Sequence, residues 1–138
     1  MKTFRSALNT LMFGLLLFTA AGTIQSCNKF DKAGFDNAAN LSSSLQELMS
    51  KATSKFSANS DAIKKVSDAL ANAVKHAESR KRNTEIAESW KTLQNELVNP
   101  FLARWKEKGM LDKDLVTEST AQVTKSLEAI KKAELARK

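Results

Sequence analysis

The sequence predicts an all-α protein: an antiparallel, up-down bundle of about four helices, the third of them kinked or split at Pro100. Three observations carry this expectation. Only four glycines and one proline punctuate the 138 residues, so strand and turn chemistry is nearly absent, while good helix formers abound. Apolar residues recur at spacings of three and four in four separate stretches. The loops between those stretches are short, which favours antiparallel neighbours. A three-helix arrangement with a mobile first segment is the architectural alternative.

The first helix is expected from about Asp36 to Phe56. Leu41, Leu45, Leu48, Met49, Ala52 and Phe56 fall on one face, and Ser44 with Glu47 has the spacing of a capping box. Ser57-Ala58-Asn59-Ser60 reads as a turn. The second helix is expected from about Asp61 to Arg80, with Ile63, Val66, Leu70, Val74 and Ala77 as its stripe. Asn59 or Ser60 would cap it by accepting from free first-turn amides.

The third begins after Asn83 or Thr84. Ile86, Trp90, Leu93, Leu97, Phe101 and Trp105 follow one another at steps of four, three, four, four and four. Pro100 interrupts this run, because proline lacks a backbone donor and meets the turn before it. Asn99-Pro100 also has the form of a cap and a first-turn proline, starting a short helix from Pro100 to Lys108. Gly109 is placed to end it in a left-handed conformation. The last helix starts at the cap Asp112, flanked by Leu111 and Val116 at the spacing of a hydrophobic staple. It carries Val116, Val123, Leu127 and Ile130 inward and runs to about Ala136.

The first part of the chain belongs to a different class of signal. Lys2 and Arg5 form a basic start, and no acid precedes Asp31. The stretch from Thr10 to Ala21, TLMFGLLLFTAA, is apolar and uncharged. A basic start, a short apolar run and small residues ahead of a cut form a secretory signal. The run is shorter than the roughly 20 residues of a spanning helix, so an uncleaved anchor is the runner-up.

Ile24-Gln25-Ser26-Cys27 resembles the lipobox of bacterial lipoproteins, in which an aliphatic residue stands three before a cysteine and a small residue just before it. That resemblance covers about the first fifth of the chain. It implies a diacylglyceryl group on the Cys27 thiol, cleavage before Cys27, and acylation of the new amine. Cys27 is the only cysteine, and a lone exposed thiol is a liability in an oxidising compartment. The alternative is a free thiol beside an ordinary cleavage point, after Ala21 or Gly22. By the resemblance to lipoprotein sorting, Asn28 is not the Asp that retains many such proteins in the inner membrane. The expected address is therefore the outer membrane, facing the periplasm or the exterior, with a secreted or periplasmic soluble protein as the alternative.

The chain thus divides into a signal over 1–26, a lipidated Cys27 with a short tether over 27–35, and a helical domain over 36–138. Residues 28 to 35 would reach no more than about 28 Å when extended. Without the signal, 20 basic and 15 acidic residues remain over 112 positions. An exported basic protein of this kind is not expected to meet nucleic acid. Its expected partners are the membrane, through the lipid, and another envelope protein; the seven-residue repeat in the last helix suits self-association and a bundle core alike, leaving both oligomeric states open.

Candidate surfaces are few. Lys75-His76 and Arg80-Lys81-Arg82 form the densest basic run, suited to phosphate or acidic lipid. The simpler account is that cations at the end of the second helix stabilise its negative pole. Trp90, Trp105 and Phe101 would line a pocket beside Pro100, or, more simply, form core. Arg80, Lys81 and Arg82 with these three aromatics make up the candidate ligand or partner surface. His76 is the sole histidine, so no metal set is expected, nor any cofactor, and it reads as a surface residue. The acid pairs Asp112/Asp114 and Glu85/Glu88 lack a calcium-loop pattern, and Ser42-Ser43-Ser44 lacks a nucleophile elbow. No enzyme is expected. The function that follows is a lipid-anchored, non-catalytic interaction module. The rivals are a carrier of small apolar ligands near Trp90 and Trp105, and an inhibitor or immunity-type protein that caps a partner enzyme.

Overall fold

The first helix starts earlier than its apolar stripe suggests. In the computed structural model, which describes residues 29–137, α1 spans Lys32–Ser50. Asp31, not Asp36, precedes it: the Asp31 carboxylate accepts from the Ala33 amide at 3.1 Å, satisfying one of the free donors of a helix start. Gly34 and Phe35, expected in the tether, are therefore helical, and Ser44 and Glu47 lie mid-helix and cap nothing.

α1 also stops short of Phe56. Two 3-10 turns follow, Lys51–Thr53 and Phe56–Asn59. Their backbone groups are satisfied across the end of the bundle instead of along a helix. The Leu111 amide donates to the Ala52 carbonyl and the Phe56 amide to the Gly109 carbonyl, both at 2.8 Å. The Trp105 indole donates to the Ser54 carbonyl at 2.9 Å.

α2 spans Ser60–Ser79. Asn59 precedes it without capping it; its side-chain amide donates to Ser54 Oγ and the Lys55 carbonyl. Val66, Leu70, Val74 and Ala77 are buried as their spacing requires, and Ile63 packs against them half-buried.

The third rod is continuous through Pro100. It consists of α3, Thr84–Thr92, a π-helical turn, Leu93–Val98, and α4, Asn99–Lys108. Pro100 offers no N–H to the Glu96 carbonyl, and in a regular helix its ring would press on that carbonyl. The π turn widens the backbone just ahead of it: the Asn99 amide donates to the Gln94 carbonyl, five residues back. The side-chain register shifts with it. Leu93 is fully buried and the next core residue is Val98, 2 % exposed, while Leu97 is only half-buried. Gly109, at φ 78°, ends α4 in the left-handed region as expected.

α5 spans Lys113–Leu135, capped by Asp112, whose carboxylate accepts from the Asp114 amide at 2.8 Å. Val116, Val123, Leu127 and Ile130 are buried on its inner face.

The four rods run up, down, up and down. Asp31 meets His76, Gln46 meets Thr124, Arg80 meets Glu134 and Asn83 meets Arg137, so each rod is antiparallel to its chain neighbour and α1 to α5. The core is one cluster running the length of the bundle, with Trp90 and Trp105 as its largest fully buried side chains. Among the described residues, no helix is long and apolar enough to cross a membrane.

Candidate functional site

One end of the bundle gathers the start of α1, the end of α2, the loop before α3 and the end of α5. The three core stripes arriving there each continue, one helical step further, into a charged residue. Asp31 precedes the buried Gly34, Ala38 and Leu41 at steps of three, four and three. Arg80 follows Ala77 by three, and Glu134 follows Ile130 by four. The helix geometry that points the apolar residues inward therefore points these three at one another.

They form a closed polar cluster. Arg80 Nη1 lies 3.0 Å from Asp31 Oδ2 and 3.1 Å from Glu134 Oε1, and Arg80 Nη2 donates to the Lys29 carbonyl at 3.2 Å. One guanidinium thus joins the chain ahead of α1 to α2 and α5, a task suited to its fixed fork of donors. His76, one turn before Arg80, has Nε2 2.7 Å from Asp31 Oδ2.

Glu134 is 1 % exposed and stands in the last turn of α5, where the helix pole repels a carboxylate. The Arg80 guanidinium offsets that placement by binding the carboxylate. Asp31 feels opposed influences. Burial raises its pKa, but the His76 hydrogen bond, the Gly34 amide and the charges of Arg80 and His76 outweigh this and hold it below the ordinary carboxylate value.

Gly34 is required by the same cluster. A Cβ there would stand 2.7 Å from both Asp31 Oδ2 and Glu134 Oε1, and neither oxygen is free to swing away while Arg80 holds it. Beside the cluster, the buried Asn83 donates to the Ala77 carbonyl at 2.8 Å and accepts from Arg137 Nη1, which fastens the α2–α3 loop to the end of α5.

A His–Asp pair is the orienting half of many proton-transfer sites. Here Asp31 Oδ1 accepts from the Ala33 amide and Oδ2 is shared between His76 and Arg80, so both oxygens of Asp31 are engaged within the cluster. Among the described residues, no buried side-chain nitrogen or oxygen lacks a partner, and no group of three His, Cys, Asp or Glu is placed to hold a metal ion.

The residues singled out in the sequence are dispersed. Arg80 belongs to the cluster. Lys81 and Arg82 are exposed in the loop beyond it, and Arg82 is left-handed at φ 57°. Trp90, Trp105 and Phe101 are buried; Phe56 meets the Trp105 ring edge-on at 5.4 Å. A groove of about 180 Å³ does lie beside Pro100, lined by Leu97, Pro100, Phe101, Arg104 and Leu115 among others, but by neither tryptophan. His76 is half-buried against Asp31 instead of standing free at the surface. Cys27 and the signal over 1–26 lie outside the described residues.

Asp31, Glu134, Gly34 and Asn83 were not marked by sequence reasoning. The legible sign was Glu134, an acid at the next inward position of a continuous apolar stripe, which calls for a cation on a facing helix. Comparison of the chain with protein-family models, curated proteins and solved structures gives no match in any of the three.

Proposed function

We propose that this chain is a lipid-anchored bacterial envelope protein, held in the outer membrane through Cys27 and acting as a non-catalytic helical module that engages another envelope protein. The lipobox-like Ile24-Gln25-Ser26-Cys27 behind an uncharged apolar run motivates the anchor. The observation that best supports its use is how soon the chain becomes held after Cys27. The Lys29 carbonyl is already bound by Arg80, and Asp31 caps α1. Cys27 to Lys29 spans at most about 7 Å, so the tether is shorter than the sequence suggests and a lipid at Cys27 brings the Arg80 end of the bundle against the bilayer.

The module reading draws support from tryptophans packed into the core, Trp90 1 % and Trp105 0 % exposed, and from a polar cluster that ties α1, α2 and α5 together. The groove beside Pro100, at about 180 Å³, is smaller than the roughly 300–1,000 Å³ of ordinary ligand pockets, which sets the small-ligand carrier behind the interaction module. Fractionation of cells making the native chain or Cys27→Ala tests the anchor. The native chain should follow the outer membrane, and the variant should leave it; equal membrane retention of both sinks the reading. Cross-linking in the same cells tests the module, which should yield envelope proteins, with a single dominant enzyme pointing to the inhibitor class instead.

A further inference from the structure

From the charge and apolar layout of the Arg80 end of the bundle, we infer that this end is a docking face for an anionic lipid surface. The inference rests on the anchor reading for its geometry, since Cys27 delivers this end to the bilayer, but the observations behind it are separate.

The first is a charge asymmetry. Residues 29–33, 79–85 and 132–137 hold seven cations and three carboxylates, whereas 51–61 and 104–114 at the opposite end hold six and four. Two of those three carboxylates, Asp31 and Glu134, are turned inward onto Arg80. Lys29, Lys32, Lys81, Arg82 and Lys132 are exposed. Lys32 also meets Asp36, but that pair is exposed and a surface pair of this kind contributes little.

The second observation separates this pattern from helix-pole stabilisation. Cations at the ends of α2 and α5 suit the negative poles there. Lys29 and Lys32 do not fit, because they stand at the start of α1, the positive pole, and the first turn of α1 holds no acid. Lys81 and Arg82 lie between the negative pole of α2 and the positive pole of α3, so Lys29 and Lys32 are the cations that pole stabilisation leaves unexplained. Arg82 moreover occupies a left-handed conformation at φ 57°, which glycine adopts at far lower cost. Lys29 and Lys32 thus add positive charge to this end that the helix pole beneath them does not call for.

The third is apolar. Phe30, 42 % exposed, and Leu135, 49 % exposed, both lie at this end and are two of the three large hydrophobics exposed among the described residues. Exposed apolar side chains at the same end as these cations suit the boundary between headgroups and acyl chains.

The test uses the full chain purified from cells, with its intact mass recorded, in vesicles of phosphatidylcholine alone or mixed with phosphatidylglycerol. A water-soluble amine reagent reports each lysine. On anionic vesicles, labelling of Lys29, Lys32, Lys81 and Lys132 should fall at least roughly fivefold, with Lys55, Lys106 and Lys108 unchanged, and added salt should restore it. Lys81→Gln and Lys132→Gln, both exposed and outside the cluster, should each weaken the docking about fivefold as read by the labelling of Lys29 and Lys32.

Equal labelling on both vesicle types by a chain that carries lipid overturns the docking face and leaves the anchor standing. If the mass carries no lipid, the anchor reading fails and co-sedimentation of the same chain decides the docking: preference for anionic vesicles supports it, and indifference overturns it. Protection of the four lysines that needs added envelope protein and not anionic lipid also overturns it, in favour of a protein partner.

Discussion

Replacing Arg80 with methionine should destabilise the bundle far more than loss of a surface charge. The side chain of Arg80 is 20 % exposed and that of Glu134 1 %, so the substitution leaves a buried carboxylate at the carbonyl end of α5 without its cation. Removing one partner of a buried ion pair costs about 3–5 kcal/mol. The residual exposure of Arg80 lowers the expectation to about 2–4 kcal/mol, because solvent already screens part of the pair. For a domain of this size, a loss near 3 kcal/mol should lower the unfolding midpoint by roughly 10–20 °C. The assay is thermal and urea unfolding followed by circular dichroism at neutral pH, native beside variant. Glu134→Leu, which removes the buried charge itself, should cost less, and the Arg80→Met, Glu134→Leu double variant should recover much of the single Arg80 loss. A fall of less than about 1 kcal/mol for Arg80→Met, or strict additivity in the double variant, contradicts the buried-pair account.

Three further perturbations probe the same structure. Gly34→Ala should destabilise by about 1–3 kcal/mol despite the better helix propensity of alanine, because the new methyl meets two held carboxylates; a raised midpoint contradicts this. Asp31 has a folded pKa below its unfolded one, so its contribution to stability is present above the unfolded value and is lost as pH falls through the folded value. Acid unfolding of Asp31→Asn should show a correspondingly smaller pH slope in that acidic window, and an unchanged slope speaks against the Asp31 contacts. Val98→Ala should cost about 2 kcal/mol and Leu97→Ala less, since the π turn buries the smaller residue; the reverse order points to a regular helix through that stretch.

Much of the bundle was legible because helix faces are periodic. The stripes of α2 and α5, the Gly109 stop and the Asp112 cap depend on residues within a few positions, and each lies where its spacing requires. The start of α1 was not, since its cap lies ahead of the first apolar residue of the stripe and is reinforced by His76 and Arg80 from a distant helix. The early end of α1 likewise depends on Trp105 and Gly109 meeting the 51–56 backbone from across the bundle.

The π turn left a sign in the sequence that a fixed helical period hides. At about 100° per residue, three successive steps of four after Leu93 carry a stripe roughly 120° around a regular helix. One extra residue, a step of five from Leu93 to Val98, returns it to the core. The polar cluster was half legible. Arg80 stood out for its charge and Glu134 continues an apolar stripe, whereas Asp31 becomes meaningful only when the ends of α1, α2 and α5 are known to meet.

The central claim is that the bundle is tied to a membrane through Cys27, with the Arg80 end toward the lipid. The most direct measurement is the intact mass of the native protein extracted from membranes. A chain that begins at Cys27 and carries a diacylglyceryl group with an acylated amine is the predicted result. A chain that begins elsewhere, with Cys27 unmodified, contradicts the claim and makes these helices those of an unanchored protein.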